Sequence, residues 1–295
     1  MIKVTFLGSS ASLPSPRHHS SCFAVTCGGV YLFDACEGCQ RQMMKNNASY
    51  GRIKAVFLSH LHADHFLGLF GLVQTMNLIG RTEPLRVYGP RGTKQFLSSV
   101  FALRQLAPAF PVEIKDCGEG ECLRAEFFTI SCFPVEHGCP ALGFVLEEPE
   151  KTRFYEDKAK AAGIKGELFT RLLEKGKIKI GKKAVTLEDV SYRQKGKKLV
   201  YSGDTAPCRT LAEAAKGADL LIHDSCFSQS EAAMAAEKKH ATATQAAELA
   251  VKAKAGRLAL THFSNRYEDR KPLLAEAKKI FPETVAAEEG LELSL

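Results

Sequence analysis

No apolar stretch in this 295-residue chain approaches the roughly 20 residues that a membrane-crossing helix needs, so no spanning helix is expected. The opening segment, Met1-Ile2-Lys3-Val4-Thr5-Phe6-Leu7-Gly8, alternates like a strand. It lacks the long apolar centre of a secretory leader, and a soluble cytoplasmic protein is expected. No short-period repeat is present, which excludes a solenoid. The ten cysteines also lack a finger or ribbon pattern. Cys36-x-x-Cys39 and Cys117-x4-Cys122 each offer half of a structural zinc site, without a convincing second pair. Nothing points to export, so reduced thiols are expected, acting as small buried hydrophobes.

What is present is ordinary in amount and uneven in placement. Hydrophobic residues make up 45% and charged residues 25%, values of a globular protein long enough for one large α/β unit. The net charge of +7 is concentrated. Residues 151–200 hold 15 Lys or Arg against 6 Asp or Glu, a net of +9 that leaves the rest of the chain at −2. Such a segment suits a polyanion, although a solvated lysine-rich surface has the same composition.

Periodicity outlines alternating strands and helices. Strands are expected at 2–7, at 23–26 and 30–33 around Gly28-Gly29, and at 53–58, 85–88, 112–115, 121–123, 127–135 and 143–147. Helices are expected at 40–45, 67–79 and 93–106, the last stopped by Pro108 and Pro111. Residues 150–195 break the rhythm. They are basic and mostly polar, with one expected helix at 167–175, and read as an insertion projecting from the core. Order resumes with strands at 198–202, 220–222 and 257–260. Helices follow at 209–216, at 242–255 capped by Thr242 or Thr244, and at 272–280.

The densest chemistry lies at Ser59-His60-Leu61-His62-Ala63-Asp64-His65, directly after an apolar strand. Three imidazoles and a carboxylate so close together are costly to bury unpaired. Borderline-soft metals such as zinc want this mixture of nitrogen and anionic oxygen ligands. The cluster is expected on a loop at a strand end, where open α/β sheets place their sites. Five apolar strands each end in a metal-capable or acid–base residue, His60, His137, Asp204, Asp224 and His262, and neighbouring strands of one sheet are expected to bring these ends together. His60 and His62 can reach one ion, with His137 completing it. Asp64 and His65 can join His262 at a second, with Asp204 as a bridge. Such a pair of ions lowers the pKa of bound water towards about 7 and holds both oxygens of an in-line displacement. Asp34 reads equally as a turn residue or as a partner behind a ligand. His18 and His19 sit in a polar loop and His223 stays unassigned.

His60-Leu61-His62-Ala63-Asp64-His65 matches the H-x-H-x-D-H signature of the metallo-β-lactamase superfamily. Further blocks span nearly the whole chain: residues 6–21, 33–40, 59–69, 134–148, 201–208, 221–227, 240–250 and 258–267. With these the sequence resembles the ribonuclease Z family of tRNA 3′-processing endonucleases. HATATQAAELA, THFSNRY and PALGFV are the more specific blocks. The resemblance implies a four-layered αβ/βα sandwich in one domain over 1–295. It implies two zinc ions per subunit, with manganese or iron as substitutes. His60, His62 and His137 match the first zinc site; Asp64, His65 and His262 match the second; Asp204 matches the bridge. Asp64 also matches a proton acceptor. His240 matches a histidine beside the scissile phosphate, suited to general acid, with Asp224 orienting it.

The family carries an inserted arm that grips the tRNA elbow, often from the other subunit of a homodimer. The basic segment 150–195 lies where that arm belongs, with Lys158, Lys160, Lys165, Arg171, Lys175 and Lys177 as RNA contacts. The implied activity removes the 3′ trailer of precursor tRNA, leaving a 3′-hydroxyl on the tRNA and a 5′-phosphate on the trailer. The chain departs from the family pattern at Ala35, Cys36, Cys39 and Cys226, none of them a ligand. It also lacks the common proline–glycine-rich arm tip.

Overall fold

Most strands are buried on both faces, and the period-two alternation of their side chains decides which core each residue enters. In the strand Ile53–Phe57, Ala55 and Phe57 point to one core and Val56 to another. Tyr31 and Phe33 separate from Leu32, and Tyr88 from Val87, in the same way. In Lys198–Tyr201, Leu199 and Tyr201 enter the core that holds Phe57, whereas Val200 enters a third. The shared core therefore lies between two sheets, and the other two lie beneath helices.

These relations come from the computed structural model, which describes residues 1–13, 15–181 and 183–295. Pro14 of the small-residue loop and Lys182 of the basic segment lie outside the described residues. The chain separates into two compact units, Met1–Glu147 with Lys197–Leu295, and Glu148–Gly196.

In the larger unit the first sheet runs, edge to edge, Glu292–Ser294, Lys3–Gly8, Cys22–Thr26, Val30–Phe33, Ile53–Phe57, Leu85–Gly89 and Val112–Asp116. The last four pair in parallel. The second sheet runs Thr284–Ala286, Leu258–Thr261, Leu220–Asp224, Lys198–Tyr201, Leu142–Glu147, Thr129–Pro134 and Gly120–Arg124. Its first four strands are parallel and the remainder antiparallel.

Aromatic rings fill the seam between the sheets. Phe23, Phe33, Phe57 and Tyr88 stack in succession across neighbouring strands at 4.9–5.1 Å. Tyr201 and Phe144 meet them edge-on from the other sheet, a favourable ring geometry. Helices Cys39–Lys45, Ala63–Leu78 and Thr93–Phe101 cover the first sheet through Met43, Leu69, Leu72, Met76 and Leu97. Helices Arg209–Ala214, Ala243–Ala253 and Lys271–Ile280 cover the second through Leu211, Ala246, Ala250 and Leu273. The result is the four-layered αβ/βα sandwich that the resemblance implied. Thr242 is the cap of its helix, exchanging hydrogen bonds with Gln245 in a capping box.

Two expectations are corrected within this unit. The helix expected at 67–79 begins at Ala63, so Asp64 and His65 occupy its first turn rather than a loop. The five strand-end residues also do not come from one sheet. His60 follows a strand of the first, and His137, Asp204, Asp224 and His262 belong to the second.

The smaller unit corrects a third. Residues 148–196 are not mainly irregular. Strand Lys151–Phe154 pairs with Ser191–Gln194, and Lys177–Ile180 with Lys183–Thr186. Helices Glu156–Ala161, Glu167–Lys175 and Leu187–Val190 join them around Ala159, Ile164, Leu172, Ile178, Val185 and Val190. These apolar residues are scattered singly among charges, so no long periodic run announces the core. Lys158, Lys160, Lys165, Arg171, Lys175 and Lys177 are all exposed.

Candidate metal centre

The histidine cluster is built at a strand-to-helix turn. His60 follows strand Ile53–Phe57, His62 takes the N-cap position of helix Ala63–Leu78, and Asp64 and His65 follow in the first turn. An acidic residue there faces the unpaired N–H groups of the helix start. Gly68 lets this helix press on the neighbouring loop. A Cβ there would meet the Cys36 carbonyl oxygen at 1.8 Å.

The sequence-predicted ligands converge in two groups that share one carboxylate. His60 Nε2 lies 2.9 Å from His62 Nδ1, which lies 3.3 Å from His137 Nε2. His65 Nε2 lies 3.2 Å from Asp64 Oδ2, and His262 Nε2 lies 3.8 Å from the same oxygen. Asp204 Oδ2 stands between the groups, 3.0 Å from His262, 3.4 Å from His65 and 3.7 Å from His60.

A deeper set of bonds orients these side chains. Asp34, completely buried just after strand Val30–Phe33, has a left-handed backbone with φ 56°. Its carboxylate accepts from Ser59 N–H at 2.7 Å, Ser59 Oγ at 2.9 Å and the Tyr201 hydroxyl at 2.7 Å. It also meets His65 Nδ1 at 2.9 Å. With Nδ1 turned to Asp34, Nε2 of His65 is the nitrogen that faces the site. Asp224 repeats the device for His240. It accepts from Thr205 N–H at 3.0 Å and Cys226 N–H at 2.9 Å, and meets His240 Nδ1 at 2.7 Å. The Lys239 carbonyl serves His137 Nδ1 at 3.2 Å. Ser59, Tyr201 and Lys239 were not singled out from sequence. Their roles depend on contacts from distant segments, which periodicity does not encode.

Electrostatics matches this geometry. Burial, then the charge of His65, pushes the His60 imidazole well below its usual range, so its ring is neutral and free to ligate. Burial works against charge at His65 and His262, but Asp204 and the neighbouring carboxylates outweigh it and hold both rings well above it. Burial likewise opposes ionisation of Asp64 and Asp204, and His262 and His65 outweigh it in each case, holding both carboxyls low. Two acids and two cationic rings thus neutralise one another.

The donors fit a divalent metal. Among the described residues, His65 Nε2, His262 Nε2 and Asp204 Oδ1 are buried without a hydrogen-bond partner. Buried polar atoms are rarely left so, and all three belong to side chains that bind metals. His240 stands beside them, its ring 5.1 Å from that of His137 and 5.0 Å from that of His262. These groups open into a cleft of about 670 Å³, also lined by Lys238, Asn265 and Arg266. His18 and His19 bind Glu289 and the Glu37 carbonyl instead, and His223 is buried against the Asp224 carbonyl.

The profile of the family described as "Beta-lactamase superfamily domain" matches residues 30–156 and 176–263. Fold and donor set together define a metal-dependent hydrolase of that superfamily. A ribonuclease Z of Methanosarcina acetivorans is 39% identical over all of this chain and 98% of its own length. Another, from Gemmatimonas aurantiaca, is 41% identical over 99% of this chain and 95% of its own. The crystal structure of the human tRNase Z short form is 28% identical, with a TM-score of 0.71 over 99% of this chain and 98% of that one. This chain belongs to the ribonuclease Z family and is a metal-dependent nuclease.

Proposed function

We propose that the chain is a zinc-dependent endoribonuclease that removes 3′ trailers from tRNA precursors, leaving a tRNA 3′-hydroxyl and a trailer 5′-phosphate. The observation that carries this reading is the convergence of two ligand groups on Asp204, with His240 beside them in one cleft. His60, His62 and His137 would hold one ion. Asp64, His65 and His262 would hold the other, with Asp204 shared. Zinc suits these donors, and manganese or iron accept the same set. Such ions, when bound, polarise the phosphate and make water acidic enough to act as a nucleophile near neutral pH.

The protein's own groups do the rest. Asp64, held ionised by its neighbours, is placed to take the proton of the attacking water. His240 keeps Nδ1 on Asp224, so Nε2 is the nitrogen that donates a proton to the leaving ribose 3′-oxygen. The Asp224 carboxylate orients that ring. Lys238 and Arg266 supply positive charge at the cleft, where the phosphate gains negative charge.

Residues 150–195 are read as an arm inserted in a single 1–295 domain and as a tRNA-gripping exosite. Lys158, Lys160, Lys165, Arg171, Lys175 and Lys177 would contact phosphates, working in a cytoplasmic homodimer. Their exposure supports that reading, since phosphate contacts tolerate sequence and need accessible cations. The test compares purified protein with Asp64→Ala on a 3′-extended tRNA. Cleavage by the wild type alone, at a single 3′ position, supports the reading. Equal cleavage by both would overturn it.

A further inference from the structure

The pair Cys117-x4-Cys122 lacked a second half in the sequence, and the fold supplies a third thiol. Cys117 lies in the crossover that follows Val112–Asp116, the edge strand of the first sheet. Cys122 sits on Gly120–Arg124, the edge strand of the second, and Cys132 on the neighbouring Thr129–Pro134. Their three sulfurs lie within 4.8 Å of one another. A break in the register of the last two strands, between Glu121 and Leu123, falls at Cys122. Such a bulge re-aims a side chain, and here both Cys122 and Leu123 turn into the core between the sheets.

We propose that Cys117, Cys122 and Cys132 form a second, structural metal site for a thiophilic d¹⁰ ion, Zn²⁺ or Cu⁺, that staples the two sheets at their shared edge. Three thiolates suit a trigonal Cu⁺ directly, or a tetrahedral Zn²⁺ whose fourth position is taken by water. Access is available from one side: Cys117 is half-buried, whereas Cys122 and Cys132 are 8% and 4% exposed. Each sulfur also lies near a backbone carbonyl: Cys117 is 3.8 Å from that of Lys115, Cys122 3.8 Å from that of Gly120 and Cys132 3.7 Å from that of Gly118. Ion binding would release the thiol protons to solvent.

The other thiol cluster shows what such sulfurs look like without this role. Cys22, Cys36 and Cys39 are essentially fully buried beneath a helix, and burial raises the Cys22 thiol first of all. They have no open side.

The proposal is tested on full-length protein by metal analysis and thiol labelling of wild type and Cys117→Ser. After dialysis against Zn²⁺ or Cu⁺, the wild type is expected to retain one more ion per chain than the variant, and the ion retained distinguishes the two. Alkylation of Cys117 in the wild type is expected to slow by about tenfold or more once the ion is added, because the free thiolate is the nucleophile. Should Cys117→Ser fold poorly, the wild-type labelling with and without ion decides alone. Equal metal content, or a labelling rate that the ion leaves unchanged, would overturn the site. RNA cleavage is expected to persist in Cys117→Ser, which separates this outcome from failure of the cleft.

Discussion

The two units of this protein treat charge in opposite ways. In the larger unit Asp34, His60, His65, Asp204, Asp224 and His262 are all nearly inaccessible, and protein groups hold most of their atoms. In Glu148–Gly196 the buried side chains among the described residues are apolar, and the six candidate RNA contacts stand in water. Fixed charges in a low dielectric interact strongly and need no reorganisation. Solvated charges act at longer range, and salt weakens them. The first arrangement suits bond breaking and the second suits gripping a polyanion.

The contrast breaks most sharply at the ligands. Asp64→Ala is expected to lower cleavage of both a 3′-extended tRNA and a small phosphodiester by about 10³-fold or more, since it removes a donor and the proton acceptor together. Metal content measured alongside should fall as well. Retention of diester hydrolysis would mean that the cleft works without this carboxylate.

His240→Ala comes next. A lost general acid costs about 10²–10⁴-fold in kcat on tRNA. A diester with an acidic leaving group needs little protonation, so its hydrolysis should fall much less, with metal content unchanged. Equal losses on both substrates would assign His240 to structure rather than proton transfer.

Stability sharpens the comparison from the other side. Leu172 is completely buried in the smaller unit, and Leu172→Ala should destabilise that unit by about 2–5 kcal/mol. Hydrogen exchange should rise across 148–196 and stay unchanged at Phe57 and Tyr201. Spread of the effect into the larger unit would show that the two fold cooperatively.

The smallest effects belong to the exposed cations. Lys158→Glu with Lys160→Glu should raise KM for tRNA by about 3–10-fold and flatten its salt dependence. Turnover of a small diester should not move. A change in that turnover would place these lysines in the chemistry rather than the grip.

Metal affinity provides a check on the buried network itself. His65 and His262 are held above the usual imidazole range, so protons compete with the ion at both rings. Metal binding should therefore release protons and weaken as pH falls. Calorimetry in buffers of different ionisation enthalpy measures that release, and a buffer-independent enthalpy would contradict it.

Much of this was legible along the chain. Period-two runs located the sandwich strands, and Thr242 or Thr244 marked a helix start. The spacing of His60, His62, Asp64 and His65 declared a metal site because no packing role asks for such density. The helix start at Ala63 was less legible, since the polar ligands interrupt the apolar periodicity that signals a helix. The fold of 148–196 was hidden for a related reason, its six core residues being isolated among charges.

The sequence by itself determined which groups could act: the ligand types, their local spacing, the basic segment and the order of strands. Tertiary structure decided which of them meet. Only folding brought Tyr201 and Ser59 onto Asp34, set Asp224 behind His240, drew His60 and Asp204 together from different sheets and added Cys132 to Cys117 and Cys122. The physical reason is range. Strand and helix periodicity is a property of neighbours in the chain, whereas those contacts join separate segments, between residues up to 167 positions apart.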